Sequence, residues 1–438
     1  MNTNYKASLP RKVYLSGADC FHLVLDKHAR KHGAGGNVMR KVFYFNKALS
    51  ADKVIAILQG SPVIYWLCNI TLKPGNLFGI PYWKYSDMGR NILLHHHKED
   101  IEKAIPQKIL ERDINVHAER FIEADLVSYP SGCCAFILSW NHILLDAKGT
   151  NLLFEHLDKM AANRETRLDT YFPAKQKGTG MLAYIRNMYK VKSFIQHSSR
   201  KPVSSIATVN CKSSAGIVKY RNIHFNSTES EKINSNAVQT GSRFGPTLFF
   251  IACCAKVIYH YNKKNNKKGD IWLPVPYDGR MKGATGPLIS NCVSFLFYRL
   301  PESALTDIHL TVKSLSAQMT AQVKDNIPKR YSMFLNMMRH VPLWLYYFLI
   351  SRTGEGTFAS FLYTSTGDNF KELKSLFGEP LSGMALIPAL TYPPGFTFVF
   401  MKHESGLSIE IAYSPEVIDW NDLLLIEQNL RDTLFFEY

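Results

Sequence analysis

"SWNHILLDAKGT", residues 139–150, sets a histidine and an aspartate four apart, His142 and Asp146, with Ile143, Leu144 and Leu145 between them. It closes the apolar run "CCAFILSW" at 133–140 and precedes "NLLFEHLDKMAA" at 151–162. A short apolar run rich in aromatic and β-branched residues reads as a buried strand. The following stretch has the spacing of an amphipathic helix. The pair therefore sits on a strand-to-helix turn: strand 134–140, a turn, then a helix starting just beyond Gly149 and Thr150. Three chemistries suit such a pair. His142 can be a satisfied core residue. A metal site would need further ligands; the only dense cluster, His95, His96 and His97 in "LLHHHKED", reads as an exposed element end. As a general base, a neutral imidazole near pH 7 takes a proton from an alcohol or amine, and burial keeps it neutral. The aspartate is then a partner or a structural anchor.

Outward from this turn, strands and helices alternate. "KVYLSGADCFHLVL" at 12–25 predicts a strand, a turn and a helix start. "VMRKVFYFNKAL" at 38–49 has the alternation of a half-buried strand. "SADKVIAILQGSP" follows as a helix capped by Ser50 and stopped by Gly60 and Pro62. "VIYWLCNITL" at 63–72 reads as a further strand. Residues 172–205 look like a connector, rich in turn formers and charge, with a short basic amphipathic helix inside it, "MLAYIRNMYKVKSFI". Beyond it come a long buried helix at 244–261, "FGPTLFFIACCAKVIYHY", and strands in "DIWLPVPYD" and "NCVSFLFYRLP". The pattern predicts two α/β lobes of similar size.

The length agrees, since 438 residues exceed one hydrophobic core. A composition 46% hydrophobic and 20% charged suits a globular chain and excludes wholesale disorder. The formal net charge of +16 favours an anionic partner. The basic residues are scattered apart from "NKKNNKKG" at 262–269, a solvated loop by its Asn, Lys and Gly content. No zinc-finger spacing or RNA-binding aromatic signature points to nucleic acid. The eight cysteines form no CxxC, and the start lacks the apolar core of a signal peptide. A cytoplasmic chain with free thiols is expected. No segment reaches the ~18–20 apolar residues of a membrane span; "VPLWLYYFLI" at 341–350 is too short. With "MLAYIRNMYKVKSFI" it offers basic, aromatic and apolar surface for peripheral contact at the inner membrane face.

"WNHILLDAKG" resembles the HHxxxDG signature of the chloramphenicol acetyltransferase-like superfamily. That group includes nonribosomal peptide condensation domains, BAHD plant acyltransferases, alcohol acetyltransferases and wax ester synthase/diacylglycerol acyltransferases. Other segments agree in order. "YLSGADCFHLVLD" at 14–26 looks like the opening of wax ester synthase-type members. "LPVPYDGRMKGATGPLISNCVSFLFYRLP" at 273–301 resembles the C-lobe stretch with its Asp-x-Arg. "FLYTSTGD" at 361–368 resembles the crossover strand, and "GLSIEIAYSPEVID" at 406–419 the last strand and turn before the final helix. The first motif histidine is Asn141, the glycine after the aspartate is displaced to Gly149, and "LTYPPGF" at 390–396 fills the place of the DFGWG motif of the BAHD and acetyltransferase branches.

The resemblance implies an α/β (α+β sandwich) fold of two similar chloramphenicol acetyltransferase-like lobes with a central tunnel. Residues 1–172 form the N-terminal lobe, 173–205 the connector, and 206–438 the C-terminal lobe with a crossover strand near 358–368. It implies His142 as the catalytic base at the tunnel centre and Asp146 turned back into the N-lobe, paired with Arg280 as architecture. Thr364, Ser365 and Thr366 are oxyanion candidates, with Asn141 a weaker one. No metal and no bound cofactor are implied. The donor substrate is an acyl-CoA or a phosphopantetheine thioester on an acidic acyl carrier protein, with acyl-CoA favoured by the absence of an attached carrier domain. The acceptor is a hydroxyl or an amine, lipophilic by the 12% aromatic content. The competing reading is an inactive condensation-like domain that docks a carrier protein, kept open by Asn141 and opposed by the retained His142.

Overall fold

The computed structural model describes residues 8–33, 35–75, 79–117, 120–164, 170–173, 181–198, 200, 202–207, 218–243, 245–281, 283–352, 358–366, 373–403 and 406–436. Two sheets organise it. The N-lobe sheet has the strand order Gly383–Ile387, Val38–Phe45, Cys134–Asn141, Ile122–Ser128, Leu94–Lys98; only the last pair is parallel. The strand Cys134–Asn141 is buried at every residue, as its unbroken apolar run requires. One face packs Phe43, Phe136 and Leu138 against the helix Ala147–Ala161 through Leu153, Phe154 and Leu157. The other face buries Val42, Val127, Ile137 and Ala385 in a second core.

Several elements differ from the sequence reading. Val38–Phe45 is buried on both faces, not half-buried, because it lies inside the sheet. Its Arg40 is tolerated there by donating to the carbonyls of Ile109 and Arg112 at 2.8 Å each. The stretch 63–72 divides into a helix, Pro62–Cys68, and a short strand, Ile70–Lys73. Ser61 caps that helix and Pro62 opens it, so the proline expected to stop a helix starts one. Leu94–Lys98 is a sheet-edge strand, not an exposed end: His97 is buried and bonded to Asp125 at 2.7 Å, and His95 meets Glu123 at 3.0 Å. The basic run at 262–269 begins inside the helix Thr247–Lys264, and Lys267 donates to the Ile206 carbonyl.

The C-lobe sheet runs Leu362–Ser365, Phe396–His403, Gly406–Tyr413, Lys219–Phe225, with the first pair parallel. The hairpin Ile271–Asp278 with Val293–Leu300 stands beside it. Helix Thr247–Lys264 supplies the lobe's core with Phe249, Phe250, Cys253 and Cys254. The connector contains the expected helix, Met181–Ser198. The crossover lies elsewhere than expected. Leu362–Ser365 stays in the C-lobe sheet, and Gly383–Ile387, buried and apolar, adds antiparallel to Val38–Phe45 of the N-lobe. No helix among the described residues is long and apolar enough to cross a membrane.

Candidate active site between the lobes

Asp146 is the N-cap of the helix Ala147–Ala161, which therefore begins before Gly149 rather than after it. Aspartate is among the strongest N-caps because its carboxylate accepts from the first-turn amides. Here Oδ1 accepts from the Gly149 amide at 2.7 Å. Oδ2 faces the C-lobe, not the N-lobe, accepting from the Cys292 amide at 2.8 Å and from Arg280 at 2.9 Å. The displaced glycine has a role here. A Cβ on Gly149 would come within 2.5 Å of the Leu288 carbonyl oxygen and 3.4 Å of the Arg280 guanidinium.

Arg280 follows the strand Ile271–Asp278, and its side chain is only 3% exposed. It also donates to Asp278 at 3.2 Å and to the carbonyls of Pro287 and Ser290 at 3.1 and 3.3 Å. Burial works against its charge, and Asp146 more than offsets this, raising it above the ordinary arginine range. The segment around Ser290 closes the joint. The Ser290 amide donates to Leu144 O at 3.1 Å, and Asn291 donates to the carbonyls of His142 and Ile143 at 2.9 and 3.1 Å. The same Asn291 side chain reaches Asp19 at 2.9 Å. The turn after the motif strand is thus held from both lobes.

His142 emerges from this turn onto the wall of a cavity of about 1360 Å³. Its backbone amide donates to Asn37 O at 2.8 Å. The cavity is bounded by Phe21 and Met39 on one side and by Phe295, Phe297, Tyr331 and Tyr363 on the other. Typical small-molecule pockets occupy roughly 300–1,000 Å³, so there is room for two reactants or a long chain. Burial depresses the His142 pKa, while Asp146 and Asn291 oppose the shift. The base form therefore persists below the usual histidine range.

Thr364, Ser365 and Thr366 border the same cavity. Thr366 is buried and its hydroxyl has no partner among the described residues, whereas Ser365 is exposed. Asn141 does not border the cavity. Its side chain donates to Ile114 O at 2.9 Å and Asp26 at 3.3 Å and accepts from the Ile143 amide at 3.2 Å. Its donors are spent on Ile114 and Asp26 and its oxygen on the turn, so the expectation of an oxyanion donor there is corrected. His22, which the sequence reading passed over, borders the cavity and stacks on His142 with ring centroids 3.9 Å apart and planes at 20°. Its signal was a histidine on the buried phase of a helix with Ala18 and Asp26. No metal-binding cluster of three or more His, Cys, Asp or Glu occurs among the described residues.

No family model matches the sequence, and no curated protein does. Solved structures do match. The first condensation domain of the CDA synthetase aligns at TM-score 0.67 and 16% identity, over 97% of this chain and 96% of that one. The TRI3 trichothecene 15-O-acetyltransferase from Fusarium sporotrichioides aligns at 0.69 and 12%, over 98% and 96%. The starter condensation domain of rhizomide synthetase, solved with C8-CoA and Leu-SNAC, aligns at 0.64 and 10%, over 99% and 96%. The wax ester synthase likeness of residues 14–26 is a likeness of sequence alone. One strand of the C-terminal half completing the N-lobe sheet, and near-complete alignment with these structures, give this chain the two-lobed fold of the condensation domains.

Proposed function

We propose that the protein is an acyltransferase that moves an acyl group from a thioester to a hydroxyl or amine acceptor in one direct step. The observation that carries this reading is a half-buried imidazole, His142, its uncharged form favoured by desolvation, on the wall of a largely apolar cavity between the lobes. His142 takes the proton of the acceptor as its oxygen or nitrogen attacks the thioester carbonyl. The tetrahedral oxyanion is met by the Thr366 hydroxyl, with Thr364 and Ser365 beside it. Collapse breaks the carbon–sulfur bond, and the thiolate recovers the proton from the His142 imidazolium. Asp146 and Arg280 hold the turn and take no part in proton transfer. The step needs no acyl-enzyme, and burial holds Cys20, Cys253 and Cys254 in the thiol form.

The donor fits an anionic carrier, with acyl-CoA favoured over an acidic carrier protein. Lys148, Lys192, Lys267 and Lys268 border the cavity, and attraction of this kind speeds encounter and weakens with salt. The inactive docking module loses its main support, because Asn141 serves the turn and the base is retained. A lipophilic partner suits the helix Leu343–Arg352, where Trp344 and Phe348 are exposed while Leu349 and Ile350 border the cavity. Exposed Lys27 and Lys31 lie 5.1 and 5.5 Å from the Tyr347 ring on that face. We assign this face to an anionic lipid surface, as an interfacial aromatic and basic patch favours. The protein should float with phosphatidylserine vesicles and lose that on Trp344→Glu; flotation unchanged by the substitution rejects the assignment.

The test of the chemistry is thiol release from palmitoyl-CoA in the presence of a long-chain alcohol or amine. His142→Ala should lower it about 10²–10⁴-fold with the unfolding transition unchanged. A variant with full activity removes His142 as the base.

A further inference from the structure

We propose that His22 is a positioning residue for His142: its ring, clamped by Asn37, backs the His142 ring and fixes the plane in which that ring meets the cavity. This rests on the reading of His142 as the base. The helix Gly17–Lys31 is fixed at its start by a capping box in which Ser16 and Asp19 bond reciprocally. It carries His22 one turn later, against the motif turn. Asn37 then joins the two histidines. Its carbonyl accepts from the His142 amide at 2.8 Å. Its side-chain nitrogen approaches the His22 carbonyl at 3.3 Å and the His22 ring Nδ1 at 3.2 Å. The carbonyl can only accept, so the Asn37 group there is the NH₂, and Nδ1 of His22 accepts its other hydrogen. That assigns the His22 proton to Nε2, a buried atom with no partner among the described residues. Asn37 is held in turn, its amide donating to Asp26 at 2.8 Å.

The stack has chemical consequences. Two rings 3.9 Å apart inside a protein cannot both carry positive charge at low cost, since little solvent screens them. Burial and the neighbouring His142 both disfavour the charged form of His22. His22 thus stays neutral through the catalytic cycle and offers an uncharged π-face to the imidazolium that forms on His142. A stacked neutral ring also excludes water from that side. The other groups around His142 are Asp146 at the head of the following helix, with Arg280 and Asp278 behind it, Asn291 and Cys292 from the C-lobe segment, and Lys148 on the cavity wall. Asp19 stands behind Asn291, and Asp26 behind Asn37. None of these occupies the stacked face.

The experiment uses the full chain with ¹⁵N-labelled histidine, reading the His142 ring nitrogens by NMR across pH, with His142→Gln to assign the signal. The pH profile of thiol release from palmitoyl-CoA with a long-chain alcohol is recorded alongside. His22→Phe keeps a ring on the stacked face. It keeps that face closed to water but loses the Asn37 bond, so the His142 titration should stay near the wild type's and kcat should fall no further than in Asn37→Ala, about threefold. His22→Ala opens that face to water. It should raise the His142 titration by about one pH unit towards ordinary histidine, move the acid limb of kcat/KM with it, and lower kcat about 10- to 100-fold with little change in KM. Asn37→Ala, which frees the His22 ring, should give the same pattern in weaker form. A His142 titration in His22→Ala that superposes on the wild type overturns the proposal, as does a loss as large in His22→Phe as in His22→Ala. Full activity in His142→Gln would instead overturn the base reading, while the NMR titration would still report whether the two rings are coupled.

Discussion

Breaking the Asp146–Arg280 pair from either side tests how the lobes are joined. Arg280 is 3% and Asp146 11% exposed in the side chain, so each would be stranded without its partner. Stranding one member of a buried pair typically costs about 3–5 kcal/mol. Arg280→Met belongs at the lower end, about 3 kcal/mol, because Asp146 keeps the amides of Gly149 and Cys292. Asp146→Asn removes the charge but keeps a good N-cap, so the ~1 kcal/mol of a lost cap is not added. Its cost is also about 3 kcal/mol, since Arg280 retains Asp278 and two carbonyls. In the double variant no charge is stranded. Its cost should fall short of the sum by about 1–3 kcal/mol, the coupling expected of directly bonded residues. Urea unfolding followed by tryptophan fluorescence, comparing the same transition in all four proteins, measures this. Additivity to within about 0.5 kcal/mol would refute the pairing as the joint between the lobes.

Gly149→Ala should destabilise by about 1–3 kcal/mol, as overpacking does, because the new methyl meets the Leu288 carbonyl; thermal unfolding checks it. Glu410→Gln should make stability less dependent on pH. Glu410 is fully buried, bonded to Asn222 through one oxygen with the other unpartnered among the described residues, and burial pushes its pKa up to about 8. The folded state therefore holds a proton that the unfolded state, near pKa 4.3, releases. Stability is full below that lower value and falls by about 2.5 kcal/mol between pH 5 and pH 7, and the glutamine variant should lack this slope in urea midpoints. For the wild type, the acid limb of kcat/KM should lie below the ordinary histidine range, as the depressed His142 pKa requires; a limb above it would contradict a desolvated base.

The motif turn was legible because an unbroken apolar strand ran into an amphipathic helix; the role of Asp146 as the cap was not, since the helix was expected to start beyond Gly149 and Thr150. The helix Pro62–Cys68 was not, since "VIYWLC" has strand composition and only Ser61 before Pro62 marks a helix start. The positions of His97 and Arg40 depend on partners distant in sequence, Asp125, Ile109 and Arg112, which no local pattern reveals. The Asp146–Arg280 contact was reached through family resemblance, not through spacing. The place of Asn141 as a turn-holding group, and the His22–His142 stack, needed the geometry of the helix Gly17–Lys31 against the turn.

The strand Gly383–Ile387, joined to Val38–Phe45 across more than three hundred residues of chain, affects how the protein is made. During synthesis the N-lobe sheet emerges with one side unpaired, and it stays so until residue 387 has left the ribosome. An open hydrogen-bonding edge of this kind invites association between nascent chains. Long-range closure also makes folding slow. A fragment ending near 172 should therefore be recovered aggregated, and adding a separate peptide that carries residues 379–390 should return part of it to solution.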